Sequence, residues 1–401
     1  MERRWASLAA LTLAIGTLAA VGGAVSPSEA RTDGSKSAAN HTVKVGIVYS
    51  RTGLLSAYGA QYIQGLRLGL DYATNGTNRV AGHRIEITAV DDGGDPAKAV
   101  SAAKDLIGQG YKIIGGSVSS GVALQLAPLA EQNKVLYISG PAASDAITGA
   151  NRYTFRSGRQ TIQDTLTIKE ILGTGVGKRI VVFAQDTAFG QGNVAAVRAI
   201  LGGRGHTVSS ILVPLSANDF TPFAEQAKQA KPDLLFVAWA GTTATAMWRA
   251  IDQQGVAQST TVATGLAERA TWASYSTGLN FLSHYVYNAP KSKVNDWLVA
   301  KMRRSGQVPD IFTPDGFVAA QMIVRAVSRA ADNVDGMITA LEGWQFVGPK
   351  GIQRVRQADH AMIQPMFQVQ LTRQGSRIVP KVVKRFSPGN LQPPVRAFGG
   401  G

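Results

Sequence analysis

Short apolar runs rich in β-forming residues recur along this chain, and each gap between them leaves room for one helix. They fall at 43–49, 85–90, 112–115, 135–139, 180–184, 208–212, 234–239, 261–265 and 284–288. Strands that alternate with helices in this way form parallel sheets with helices on both faces. The gaps carry helix signals of their own. Asp95-Pro96, Thr221-Pro222 and Thr313-Pro314 each set a capping side chain before a proline suited to the first helical position. Val100, Ala103, Leu106 and Ile107 fall at helical spacing. The first unit, 43–96, is strand, polar loop, helix, strand. Its loop holds Ser50, Thr52, Gly53, Ser56 and Tyr58. A loop at the carboxyl end of a parallel strand is where open α/β sheets bind ligands.

A chain of 401 residues exceeds one ordinary core and suffices for two domains. The strand run pauses near 156, and a helix candidate at 161–172 leads to Lys178-Arg179 and a fresh strand. After a second alternating run come helix candidates at 294–305 and 315–331, then a β-like stretch at 366–386. The reading is α/β, with two doubly wound parallel-sheet lobes. Lobe 1 is expected at 42–160 plus 290–342 and lobe 2 at 161–289 plus 343–386. The Pro/Gly-rich end, 387–401, reads as a flexible tail.

The first thirty residues read as an export signal. Arg3 and Arg4 precede a small, apolar stretch, and Ser28-Glu29-Ala30 fits a cleavage site. An uncleaved anchor is the alternative, since the apolar run is about twenty residues long. Residues 31–41 have the composition of a disordered leader. The chain has no cysteine, which excludes disulfides, thiolate metal sites, cysteine nucleophiles and lipid attachment through an N-terminal cysteine. The net charge of +15 is dispersed, densest at 373–385. Nucleic-acid binding needs clustered bases with interleaved aromatics, so the charge reads as a solvated basic surface.

Ordered segments carry a resemblance to a known family. They are VKVGIVYSRTGLLSAYG, DDGGDPAKAVSAAKDLI, IIGGSVSSGVALQLAPLAEQNKVLYISGPAASDAIT, YTFRSGRQTIQD, RIVVFAQDTAFGQG, DFTPFAEQAKQAKPDLLFVAW and DHAMIQPMFQVQL. Together they resemble the extracytoplasmic solute-binding proteins of ABC importers, of the branched-chain amino acid (Leu/Ile/Val) type. The resemblance implies a type I periplasmic binding protein fold, with two lobes joined by a three-segment hinge and a ligand in the cleft. It implies an exported monomer, periplasmic or at the cell surface, that hands an amino acid or other small carboxylate to the permease subunits. No cofactor and no catalysis are implied.

The candidate site follows. The loop 115–121 joins a strand to a helix, whose N-terminus offers free N–H groups to a carboxylate, and Ser119 and Ser120 add hydroxyls. A plain helix cap is the competing reading. In similar proteins the loop 140–145 places backbone groups and a threonine hydroxyl on the ligand. Here Ala142, Ala143 and Ser144 stand there, with Ala143 at the threonine position, a departure from the family. Tyr58, Phe189 and Trp239 match positions where the family sets aromatic rings against the ligand. In the stretch that holds the family's acidic partner for an ammonium group, only Glu268 is acidic, a few residues late; Asp186 and Asp219 are other candidates, Asp219 reading rather as a helix start. A carboxylate without an amine therefore competes with an amino acid as ligand. Arg356, Asp359 and His360 are assigned to the second lobe or the hinge.

Enzyme readings fare worse. His41, His83, His206, His284 and His360 show no metal-ligand spacing. SVSSG lacks the first glycine of a nucleophile elbow, and 173–178 matches no phosphate-loop pattern. Asp91, Asp92 and Asp95 read as a strand end and a helix cap instead of a cation site. A sensing subunit for a membrane receptor would use the same cleft, and a secreted hydrolase is the third reading.

Overall fold

The structure, a computed structural model, describes residues 41–275 and 279–399. The export signal and residues 31–40 of the leader lie outside the described residues.

Lobe 1 begins with β1 (Thr42–Tyr49), α1 (Ser56–Ala73), β2 (Arg79–Val80), β3 (His83–Asp91), α2 (Pro96–Gly108), β4 (Ile113–Gly115), α3 (Ser120–Asn133), β5 (Leu136–Ser139) and β6 (Thr154–Arg156). The sheet order is β2-β3-β1-β4-β5-β6, parallel except for β2. Side chains of one strand alternate between two buried faces. Val45 and Ile47 join Tyr62 and Leu66 of α1, whereas Val48 joins Leu106 of α2 and Val122 of α3.

Lobe 2 continues with α4 (Thr161–Leu172), β7 (Arg179–Gln185), α5 (Ala188–Ile200), β8 (Thr207–Val213), α6 (Thr221–Gln229), β9 (Leu234–Ala238), α7 (Ala244–Gln253), α8 (Val256–Ser259), β10 (Thr261–Gly265) and β11 (Asn280–Ser283). Ile180, Val182 and Ala184 face one core while Val181 and Phe183 face the other. Apolar runs without alternation are what such doubly covered strands require. The chain then returns through α9 (Lys293–Arg303), α10 (Thr313–Ala330), α11 (Val334–Leu341), β12 (Gln345–Gly348), β13 (Gly351–Val355) and β14 (Met362–Ile363). It ends with β15 (Met366–Gln374) and β16 (Arg377–Phe386). The second sheet runs β16-β15-β11-β10-β9-β7-β8, with β15 and β16 antiparallel.

Helix α10 packs on α1 at near backbone contact. A Cβ on Gly65 would lie 1.8 Å from the Thr313 carbonyl oxygen, and one on Gly316 would lie 1.9 Å from that of Tyr62. Glycine is the only residue that fits at either position, and this contact returns the late helices to lobe 1.

Several expectations need correction. The strand expected at 284–288 ends at Ser283, and the chain beyond it is a crossing between lobes. Residues 343–363 belong with lobe 1, because Phe346, Val355 and Met362 are buried in its core. Arg356, Asp359 and His360 go with them. His360 stacks on Phe155 at 3.6 Å between ring centroids, with Nδ1 3.0 Å from the Thr154 carbonyl oxygen. The tail is held as far as Phe398, whose ring centroid lies 4.7 Å from that of His360, and the Arg396 amide donates to Asp359 Oδ2 at 3.1 Å. Leu391 is buried beside Met366 and Phe386, and Arg356, paired with Asp359, donates to the carbonyls of Pro393 and Pro394. Only Asp95 of the three expected caps acts as one, accepting from the Lys98 amide at 2.8 Å. Thr221 and Thr313 are already the first residues of their helices.

Candidate functional site

Strand order locates the site. In lobe 1, β1 lies between β3 and β4; in lobe 2, β7 lies between β8 and β9. At these reversals the loops leaving neighbouring strands part and open a crevice. The loops after β1, β4, β7 and β9 line one cavity of about 390 Å³ between the lobes. The lobes also touch across it. The Thr242 amide donates to the Leu54 carbonyl at 3.3 Å, the Gly241 amide to the Tyr58 hydroxyl at 3.4 Å, and the Arg269 amide to Asp310 Oδ2 at 2.9 Å.

Two carboxylates at the end of β3 fix the lobe 1 wall. Asp92, fully buried, accepts from the Ser50 hydroxyl at 2.7 Å, the Ser117 hydroxyl at 2.5 Å and the Gly94 amide at 2.7 Å. It thereby ties the loop after β1 to the loop after β4. Asp91 accepts from the amides of Arg51, Thr52 and Gly93, the Thr52 hydroxyl and the Lys98 ammonium. Burial works to raise its pKa, yet these donors together hold it well below the usual carboxylate range. Both carboxylates are thus spent on protein donors, in keeping with a strand end.

The α3 N-terminus opens on the cavity. Ser119 is its cap, accepting from the Val122 amide at 3.5 Å, and Ser120 Oγ accepts from the Ser144 amide at 3.2 Å. Ser119, Ser120 and Ala143 line the cavity, whereas Ala142 and Ser144 lie buried behind it. Tyr58, Phe189 and Trp239 also line it. Tyr58 meets Phe312 edge-on at 4.7 Å, and burial, followed by the nearby Glu268 carboxylate, drives its phenol pKa up. Trp239 stacks on Phe183 at 5.7 Å, meets Phe220 edge-on, and donates through Nε1 to Thr243 at 3.0 Å. Glu268 is not among the cavity-lining residues; it lies beside Tyr58, its carboxyl pushed up by burial.

The crossings between lobes supply groups that sequence reasoning missed. Arg159 and Asp164 line the cavity and pair with each other at 3.0 Å. Beyond them lies a fully buried charge cluster in which Lys350 pairs with Asp315 and donates to Gln364, and His284 Nε2 lies 3.2 Å from Asp315. Burial opposes the charge of Asp315, yet Lys350 and then His284 hold its pKa down to about 2. Burial lowers His284 to about 4 against the pull of Asp315. These residues are far apart in sequence and meet only where the crossings meet. Arg159 and Asp164 fell inside the segment YTFRSGRQTIQD, but nothing in the sequence says that a buried guanidinium faces a cavity there.

Comparison with known proteins agrees with this architecture. Residues 42–376 match the periplasmic binding protein family, and the chain belongs to it. A Leu/Ile/Val-binding protein of Rhizobium johnstonii is 25% identical over 329 residues, covering 79% of this chain and 88% of that one. An ABC-type branched-chain amino acid transporter protein from Rhodopseudomonas palustris is 31% identical, with a TM-score of 0.74 over 88% of this chain and 99% of that one. A solute-binding protein from the same species, solved with p-hydroxybenzoic acid, shares the fold at a TM-score of 0.79. It is 20% identical and covers 86% of this chain and 97% of that one. The family is extracytoplasmic, and no helix among the described residues is long and apolar enough to cross a membrane.

Proposed function

We propose that the chain is the solute receptor of an ABC importer. It would bind a small amino acid or carboxylate with an apolar or aromatic body and deliver it to a membrane permease without turnover. One observation carries this reading: a cavity of about 390 Å³ is walled by polar loops and a helix N-terminus from lobe 1 and by rings from both lobes. That volume lies at the small end of ligand pockets, about 300–1,000 Å³. A molecule held there touches both lobes only when they are together, so binding favours closure. Tyr58, Ser119, Ser120, Ala143, Phe189 and Trp239 are the contacts we assign.

Relatives in the same fold bear names or ligands of both kinds, branched-chain amino acids and aromatic acids. A thermal-shift screen against amino acids, aromatic acids and short-chain acids tests the reading. A ligand should raise Tm as its concentration rises. If none of the three classes shifts Tm, the receptor assignment fails.

A further inference from the structure

The first crossing places a guanidinium in the cleft with most of its donors unspent. Arg159 stands between β6 and α4, its side chain nine-tenths buried and lining the cavity. Its Nε–H group donates to both carboxylate oxygens of Asp164, at 3.2 and 3.0 Å. Neither Nη group meets an acceptor among the described residues. A guanidinium has five N–H donors, so four stay open to the cavity for a ligand. The residue is also held from behind, since its carbonyl accepts from Arg156 Nη2 at 2.6 Å. The two Nη groups of Arg156 also donate to the carbonyls of Ala142 and Ser144 and the Thr148 hydroxyl, all on the protein side and none in the cavity.

The anionic side of the cavity is accounted for in the same way. Asp164 and Asp186 are the only carboxylates among the described lining residues. Arg159 occupies the first. The second is exposed and accepts from Gln191 at 2.8 Å. Glu268 is not part of the lining; it lies beside Tyr58, with Oε2 buried and without a hydrogen-bond partner among the described residues. An ammonium in the cavity would therefore meet no free carboxylate on the lining itself, only Glu268 beside Tyr58, which burial biases toward the neutral form. The remaining wall is largely apolar, with rings from Tyr58, Phe189, Trp239 and Phe312.

We infer that Arg159 is the charge anchor of the cleft and that the ligand is a carboxylic acid without an amine. The Nη groups take the carboxylate as a fork, Asp164 fixes the plane of the guanidinium, and the apolar body of the acid lies among the rings. The inference rests on the receptor reading and narrows its ligand class.

The test is calorimetric titration of the purified chain with matched probes. 3-Phenylpropionate is compared with phenylalanine, which adds only an ammonium group, and with 3-phenylpropanamide, which removes the charge. 4-Methylpentanoate, leucine and 4-methylpentanamide form a second set. In at least one set the acid should bind about 10- to 100-fold tighter than both its amide and its amino acid. The double variant Arg159→Gln/Asp164→Asn keeps a neutral hydrogen-bonded pair, and its acid-to-amide ratio should collapse about tenfold or more. Arg159→Lys keeps the charge but loses the fork, and should lower the same ratio by a smaller factor; it carries the test if the double variant does not fold. An unchanged ratio in the variants overturns the anchor, and tighter binding of the amino acids overturns the amine-free ligand; either result leaves the receptor reading intact. If neither the acids nor the amino acids bind, the receptor reading falls and this inference with it.

Discussion

The two walls of the cleft differ in how they are held. Lobe 1 presents loops whose backbone is tied down by Asp91 and Asp92, so its wall consists of fixed donors with a direction. Both lobes present rings, Tyr58 and Phe312 from lobe 1 and Phe189 and Trp239 from lobe 2, but those of lobe 2 are held by packing, Trp239 on Phe183 and Phe220. A wall of oriented donors discriminates charge, whereas a wall of rings discriminates shape. On the receptor reading, lobe 1 and the hinge orient the polar end of the ligand, and lobe 2 closes over its body. Charge selectivity then resides in lobe 1 and the hinge, whereas the rings that set size come from both lobes.

The largest effect should come from the tied wall. Asp92→Ala strands two buried hydroxyls and an amide, and should cost about 3–4 kcal/mol of stability. Urea denaturation at unchanged slope measures it. The counterpart in lobe 2, Trp239→Ala, removes a half-buried ring and one hydrogen bond. It should cost about 2 kcal/mol of stability and weaken an aromatic ligand about tenfold. A greater cost for Trp239→Ala than for Asp92→Ala would break the contrast between the walls.

Between these in size is a pH effect at the crossing that joins the lobes. His284 faces Asp315, Lys350, Arg159 and the ring of Phe312. Burial lowers its folded pKa from 6.5 to about 4. The unfolded chain therefore takes up a proton below pH 6.5 that the folded chain refuses until about pH 4. Its contribution is full above the upper value and is lost as pH falls through this window, by up to about 3 kcal/mol. Asp145, Asp164, Glu268 and Asp310 are raised by burial and act in the opposite sense as pH falls, so the difference between wild type and His284→Gln is the readout. The variant should flatten the slope of stability between pH 6.5 and 4. Parallel slopes would remove His284 as its source.

Much of the fold was legible because strand and helix periods are local. The runs at 43–49, 180–184 and 234–239 became β1, β7 and β9 within a residue or two of their ends. The three-stranded β12–β14 sheet was missed, since its strands span two to five residues and pair across turns without long apolar runs. Loops at strand ends gave the site its lobe 1 wall, and Tyr58, Ser119, Phe189 and Trp239 all line one cavity. Ala142, Ser144 and Glu268 do not, because a neighbour in sequence can lie one layer behind the surface. The Arg159–Asp164 pair and the Asp315–Lys350–His284 cluster were illegible for a different reason. Arg159 and Asp164 are near in sequence but carry no mark that they are buried in a cavity, while the members of the Asp315 cluster come from separate segments that only the assembled hinge brings together.

The smallest effect separates the two readings of Ser119. Its hydroxyl accepts from the Val122 amide at 3.5 Å, a long bond, so as a helix cap it should be worth no more than about 1 kcal/mol. The same hydroxyl keeps its own O–H free to donate into the cavity, and a hydrogen bond to a carboxylate is worth about 1.5–3 kcal/mol. Ser119→Ala should therefore lower the Tm of the free protein slightly and that of the acid-loaded protein further. The extra loss should match a drop of about tenfold in affinity for the acid. The corresponding amide, which brings no charge, should lose less. Equal losses in free and loaded protein would make Ser119 a cap alone, and would leave charge recognition to the hinge and not to the lobe 1 wall.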